Sequence, residues 1–413
     1  MKSNIIRTIS FLLAVTALSL TACAKSNFNY VETTVPATPV SVPWSNTSEF
    51  TYTPSEDRTD NVINWSFRST NIGVMNGDLY LQRPGMAVRY DPKTGRQTYL
   101  CTDPLCPHDT LECPFSYTDL NSEYHVFEDK VLYYNIKDGM KVMLYSMTDR
   151  TVKEMRTVDS TESIPHLVPM KEWYYFIDLV YDQQKDTYIR SLCRQFYDSG
   201  KIEVLRKEDE RRFQTSLMGT DGEVLYVYEN HNAALVGLSL DGKTELFRTR
   251  FDYGFEAICK DGYMIYFDGE TNEMWRKNLD GTDQHKLGIS DVNYFYLTDS
   301  YIYYIKTDET KVFVNLHDLD DYTDDETFRV DYQTIYRSDH EGNNEEVVFK
   351  NTIGEDVIET RKYIVQGNYL YAVFDYYDIN DEECNCTVSR QSESYTYCRI
   401  DCTTGEIYYI EVK

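Results

Sequence analysis

The chain has 413 residues, with 41 Lys and Arg against 68 Asp and Glu, a net charge of −27. That balance excludes a nucleic-acid binder, which needs a positive surface against phosphate, and adsorption to anionic lipid through a basic patch. Mean hydropathy is −0.53, which excludes a protein built of many membrane spans. Tyr numbers 37, and Tyr with Val, Ile, Phe and Thr favours strands over helices.

Residues 1–23 read MKSNIIRTISFLLAVTALSLTAC. Lys2 and Arg7 form a short positive region, and Ile9 to Leu20 is apolar but for Ser10, Thr16 and Ser19. A spanning helix needs roughly 20 apolar residues, so this stretch reads as an export signal. The tetrad Leu20-Thr21-Ala22-Cys23 resembles the lipobox of bacterial lipoproteins. The resemblance implies cleavage before Cys23, with acyl chains carried on its thiol and, in many bacteria, on its amine. The expected location is then the extracytoplasmic face of the cell membrane, held by lipid at Cys23. The plainer reading is an ordinary secretory peptide cut nearby. Residues 1–22 would be the signal and 23–60 a tether rich in Thr, Ser and Pro, spanning on the order of 35 Å as a flexible coil. Alternatively Trp44, Phe50 and Tyr52 clasp the folded domain.

From residue 61 to 413 one phrase recurs: a Gly/Asp/Asn turn, a strand centred on Tyr, a second strand, a polar turn, then a short apolar strand. The clearest copy spans 259–288, with Asp261-Gly262, Tyr263 to Phe267, Glu273 to Leu279 and Asp280-Gly281. Asp-Gly between such runs marks a hairpin, because Gly accepts positive φ without steric cost. The matched tyrosines are Tyr80, Tyr133, Tyr175, Tyr226, Tyr266, Tyr303 and Tyr371. The shorter intervals fit a four-stranded blade of about 40 residues, and the longer ones carry insertions. The expected fold is therefore all-β, a β-propeller of seven four-stranded antiparallel blades. Eight blades would follow if residues 61–75 completed a further unit with the C-terminus. Two stacked β-sandwiches are the competing architecture.

The lipobox, the Tyr-rich units and the Asp-Gly or Thr-Gly turns together resemble bacterial surface lipoproteins with a TolB-like or low-density-lipoprotein-receptor-type propeller. The run from Tyr90 through Cys101, Cys106, Pro107, His108, Cys113 and Phe115 resembles a signature of such lipoproteins. The resemblance implies a fold and a location, and no established activity.

Cys101, Cys106, His108 and Cys113 form the densest cluster of candidate metal ligands, in an insertion at about residues 100–125. Three thiolates and an imidazole can close a tetrahedral structural zinc site. The competing reading is a disulfide among the three cysteines, since the chain is read as exported. Cys384, Cys386, Cys398 and Cys402 are disulfide candidates in the last unit, whereas Cys193 and Cys259 read as buried thiols. No catalytic residue is assigned: HExxH, G-x-S-x-G and G-x-G-x-x-G patterns are absent from the sequence. The acidic run 317–326 reads as a solvated loop before it reads as a Ca²⁺ site. Trp173, Trp275 and Tyr266 read as core before they read as a sugar-binding face.

The functional expectation is a non-catalytic surface lipoprotein whose propeller binds a polymer such as a glycan, a peptide or a partner protein. The alternatives are a glycoside hydrolase or lyase with convergent carboxylates at the channel mouth, and an assembly module of an envelope complex.

Overall fold

The computed structural model describes residues 30–31, 72–83, 86–106, 113–115, 124–135, 139–158, 166–182, 187–208, 215–229, 233–251, 257–314, 327–350, 352–353, 356–382, 385–390 and 396–410. Within these the chain folds into seven sheets, antiparallel but for one short added strand, and contains no helix, and so none long and apolar enough to cross a membrane. Each sheet is built from consecutive strands, as in Tyr124–Phe127, Lys130–Asn135, Met140–Ser146 and Thr151–Val158 of the second.

The sheets are the blades of a seven-bladed propeller, and the cores between them show why the ring closes. Seven apolar clusters occupy the seven interfaces between neighbouring blades. The last joins Ile72, Leu79, Leu81 and Val88 of the first blade to Tyr371, Tyr397 and Ile410 of the seventh. Among the described residues no strand is exchanged between the first and last sheets, and this apolar contact joins them at the closure. Residue 72 begins the first strand of the first blade, which leaves seven blades and not eight.

Both faces of a blade are covered, which explains the unbroken apolar runs in the second strands. Leu132 and Tyr134 face the third blade, while Val131 and Tyr133 face the first. Tyr174 packs toward the second blade and Tyr175 toward the fourth. The seven matched tyrosines all lie on second strands and are buried. In four blades the residue paired across to the third strand is arginine: Arg89, Arg194, Arg337 and Arg399.

The two faces of the ring differ. Strand direction alternates within a blade, so inner-to-second and third-to-outer turns share one face. Second-to-third turns and the crossovers between blades share the other. The first face carries tight turns capped by aspartate. The carboxylates of Asp91, Asp241, Asp280, Asp339 and Asp401 each accept the N–H two residues on, at 2.8–3.1 Å. This Asx geometry holds the chain where Gly95, Gly242, Gly281, Gly342 and Gly405 take positive φ.

The second face carries the long hairpins. Trp173–Asp182 pairs with Thr187–Phe196, and Ile302–Val314 pairs with Thr327–Ser338. In the sixth blade the neighbouring strands stop at Lys306 and Thr334. The segment from Glu309–Tyr332 to Val314–Thr327 therefore stands as a two-stranded projection, about 20 Å long at 3.3 Å per residue. In the seventh blade Tyr369–Glu382 pairs with Thr396–Asp401 near its start and with Asn385–Arg390 near its end. The acidic run 317–326 lies outside the described residues.

Of residues 23–60, Tyr30–Val31 pairs in parallel with Ile202 and Glu203, adding a fifth strand to the outer edge of the third blade. Cys23 and the aromatic residues Trp44, Phe50 and Tyr52 lie outside the described residues.

Candidate metal centre

The crossover from the first blade to the second starts at Leu100, whose N–H donates to the Ala87 carbonyl at 2.9 Å. Asp103 then shapes the loop. Its carboxylate accepts the Leu105 N–H at 2.9 Å, and its carbonyl accepts the Cys106 N–H at 3.2 Å. Pro114 anchors the far end, its carbonyl accepting Tyr133 Oη at 3.1 Å and Asn135 Nδ2 at 2.8 Å. Phe115 is fully buried, stacked on Tyr133 and edge-on to Tyr145 with centroids 5.1 Å apart.

Between these anchors the Sγ atoms of Cys101, Cys106 and Cys113 all lie within 4.8 Å of one another. All three are free thiols, with Cys101 and Cys113 buried and Cys106 half-buried. The Asp103 N–H is directed at the Cys101 sulfur and the Phe115 N–H at the Cys113 sulfur, in each case from two residues on. Burial pushes the Cys113 thiol up to about 12 and raises Cys101 too, with these two N–H groups pulling the other way. His108, the fourth ligand expected from the sequence, lies outside the described residues.

The other cysteines are dispersed. Cys193 and Cys259 are buried free thiols facing the second-to-third and fourth-to-fifth interfaces. Cys398 and Cys402, expected as disulfide partners, are also buried free thiols in the core between the sixth and seventh blades. Cys384 lies outside the described residues, and of the Cys386 side chain nothing is described.

Among the described residues, Trp173 and Trp275 form no open aromatic platform. Tyr266 is core, and Trp275 and Trp173 pack beside the fourth-to-fifth and third-to-fourth cores. Lys286 and Arg194 cover their rings at 5.3 and 5.0 Å. Among the described residues, Asp91, Asp129, Glu203, Asp241 and Glu345 have pKa values displaced downward. Hydrogen bonds and cationic partners hold them there, with burial the larger but opposing influence at Glu203 and Glu345. They are turn caps and ion-pair members.

The two backbone donors aimed at sulfur had no signal in the sequence, because any residue type supplies an N–H. The long hairpins of the third and sixth units did leave one, in the wide intervals that follow Tyr175 and Tyr303.

No family model matches the chain, and no curated protein matches it. Among solved structures it is similar to a prolyl endopeptidase, with a TM-score of 0.53 and 10% identity over 83% of this chain and 49% of that one. It is also similar to a puromycin-hydrolyzing peptidase of Mycobacterium tuberculosis, with a TM-score of 0.51 and 10% identity over 87% of this chain and 55% of that one. A putative TolB from Agrobacterium tumefaciens matches with a TM-score of 0.37 and 10% identity, over 63% of this chain and 87% of that one. At such identities the likeness is one of fold. The chain spans about half the length of the two peptidases.

Proposed function

We propose that this protein is a lipid-anchored surface propeller that binds a polymer, peptide or partner protein without transforming it. The observation that supports this is the asymmetry of the ring: Asx-capped tight turns on one face, and long hairpins of three blades with the Cys-rich crossover on the other. A rigid scaffold that concentrates its long loops on one face is built for recognition there. A two-stranded hairpin alone is marginally stable in water, and the projection of the sixth blade lies against Asn385–Arg390 of the seventh on the same face.

The enzyme alternative requires a carboxyl group held protonated beside an ionised one, with its pKa pushed up. Among the described residues, the carboxylates with displaced pKa values are turn caps and ion-pair members. The anchor rests on the Leu20-to-Cys23 tetrad, and two or three acyl chains at ~0.8 kcal/mol per buried CH₂ would hold the domain firmly at a bilayer.

Cell fractionation of the intact protein and of Cys23→Ala tests the anchor: the variant should leave the membrane fraction, and its retention there would contradict lipidation. The released variant, probed on glycan and peptide arrays, tests binding. Turnover of a glycan in place of retention would favour the enzyme.

A further inference from the structure

The geometry points to Cys101, Cys106 and Cys113 as a thiolate site for one Zn²⁺ ion, which clips the crossover between the first two blades into the ring. The proposal stands apart from the surface-binding reading, since it concerns a ligand held by the fold itself.

Three features of the cluster carry it. First, three sulfurs converge, where a disulfide uses two and does not account for the third. Tetrahedral zinc at about 2.3 Å from each sulfur sets them about 3.8 Å apart, so sulfurs already within 4.8 Å need only a small contraction. Second, the Asp103 and Phe115 N–H groups point at the Cys101 and Cys113 sulfurs. Such donors are worth more to a sulfur bearing negative charge than to a neutral thiol, and they orient metal-bound thiolates. Third, the sulfurs are held from both ends by structure independent of any metal. The Leu100 N–H bonds the first blade, and Pro114 and Phe115 are fixed to Tyr133, Asn135 and Tyr145 of the second. The chain entropy lost in gathering the ligands is thus largely spent before the ion arrives.

The donor set selects the ion. Three thiolates suit a borderline-soft cation and disfavour Ca²⁺ and Mg²⁺, which take oxygen ligands. Binding displaces one proton from each thiol that ligates, and no electron is transferred. The sequence supplies a fourth donor in His108, two positions after Cys106 and outside the described residues. With the site closed, the turn between Cys101 and Cys106 is rigid. Leu105, 90% exposed at its apex, is then presented on the face that carries the long hairpins.

The test uses the full chain with Cys23→Ala, purified under reducing conditions, stripped with chelator and reloaded with Zn²⁺ or Co²⁺ alone. The expected result is one zinc per chain, and the intense visible absorption and sulfur-to-metal charge transfer of tetrahedral Co²⁺. Chelator should lower Tm. Cys113→Ser and Cys106→Ser should each abolish the charge-transfer band or shift it markedly. Cys106 is half-buried, so its variant remains informative if Cys113→Ser does not fold. As a control, Cys193→Ser should keep the band. The proposal is overturned if the reduced protein takes up no metal, or if bound metal is indifferent to both cluster variants. It is overturned equally if protein purified without reductant holds a disulfide within the cluster that survives in place of metal.

Discussion

Phe115 lies nearly flat on Tyr133, with ring centroids 5.2 Å apart and 16° between the planes. One ring comes from an irregular crossover and the other from the second strand of a blade, so this stack binds an insertion to the propeller core. Phe115→Ala should destabilise the protein by about 3–5 kcal/mol, the usual cost of emptying an aromatic site in a packed core. Equilibrium urea unfolding followed by near-ultraviolet circular dichroism would measure it. A loss below about 1 kcal/mol, within the range of surface substitutions and weak caps, would mean the crossover is not part of the core.

Arg156 and Asp178 join the second blade to the third. Their side chains are each about 8% exposed, Nη2 to Oδ1 is 2.6 Å, and the guanidinium lies 4.2 Å over the Phe176 ring. Arg156→Met leaves a carboxylate buried without that partner and should cost on the order of 3–5 kcal/mol. Replacing both, as Arg156→Met with Asp178→Leu, should recover much of the loss. Thermal unfolding of the single and double variants checks this, and a double variant no better than the single would contradict it.

Much of the ring was legible in the sequence because its signals are local. The Asp-Gly and Thr-Gly turns recur between successive strands of a blade, and a buried Tyr recurs on every second strand, facing the following blade in five units and the preceding one at Tyr133 and Tyr266. The projections at 309–314 and 327–332 were not legible as strands, since nothing in their periodicity separates a free hairpin from a loop. The arginines opposite Tyr80, Tyr175, Tyr303 and Tyr371 were also missed, because cross-strand pairing is a relation between distant residues. At the cluster, spacing identified the thiols. Their convergence depends on Phe115 and Pro114 being held by the next blade, which spacing does not encode.

His340 makes stability depend on pH. Its Nδ1 is 2.9 Å from the Tyr263 hydroxyl and its Nε2 3.0 Å from the Thr298 carbonyl. Burial lowers its pKa, opposed by the Thr298 carbonyl, with Lys260 and Arg276 adding to the lowering. Between that lowered value and about 6.5 the unfolded chain binds the extra proton, so stability falls as pH drops through this window and is level above it. Glu203 and Glu345, also lowered, contribute stability present above the ordinary carboxylate pKa and lost as pH falls through their folded values. His340→Gln should flatten the upper part of the acid limb and leave the lower part. Urea midpoints measured across both windows check the split.

Gly342 sits in the Asx-capped turn of the sixth blade with φ +78°, and a Cβ there would lie 2.1 Å from the Leu287 carbonyl oxygen of the fifth. Backbone cannot yield as a flexible side chain does, so Gly342→Ala should cost at least about 1–3 kcal/mol. Gly95 has φ +69° in the matching turn of the first blade with open space around it, so Gly95→Asn should cost less. Equal losses would contradict the close approach of the two blades.

Binding by the face that bears the long hairpins is the central claim, and a face-resolved binding assay tests it most directly. The Cys23→Ala protein would first be screened on glycan and peptide arrays. The strongest hit would then be titrated against two variants, one with 315–326 replaced by a two-residue turn and one with Asp241→Asn and Asp280→Asn on the opposite face. The account predicts at least a tenfold loss of affinity for the shortened hairpin, about 1.4 kcal/mol or more, and little change for the turn variant. Full affinity in the shortened variant together with loss in the turn variant would contradict it.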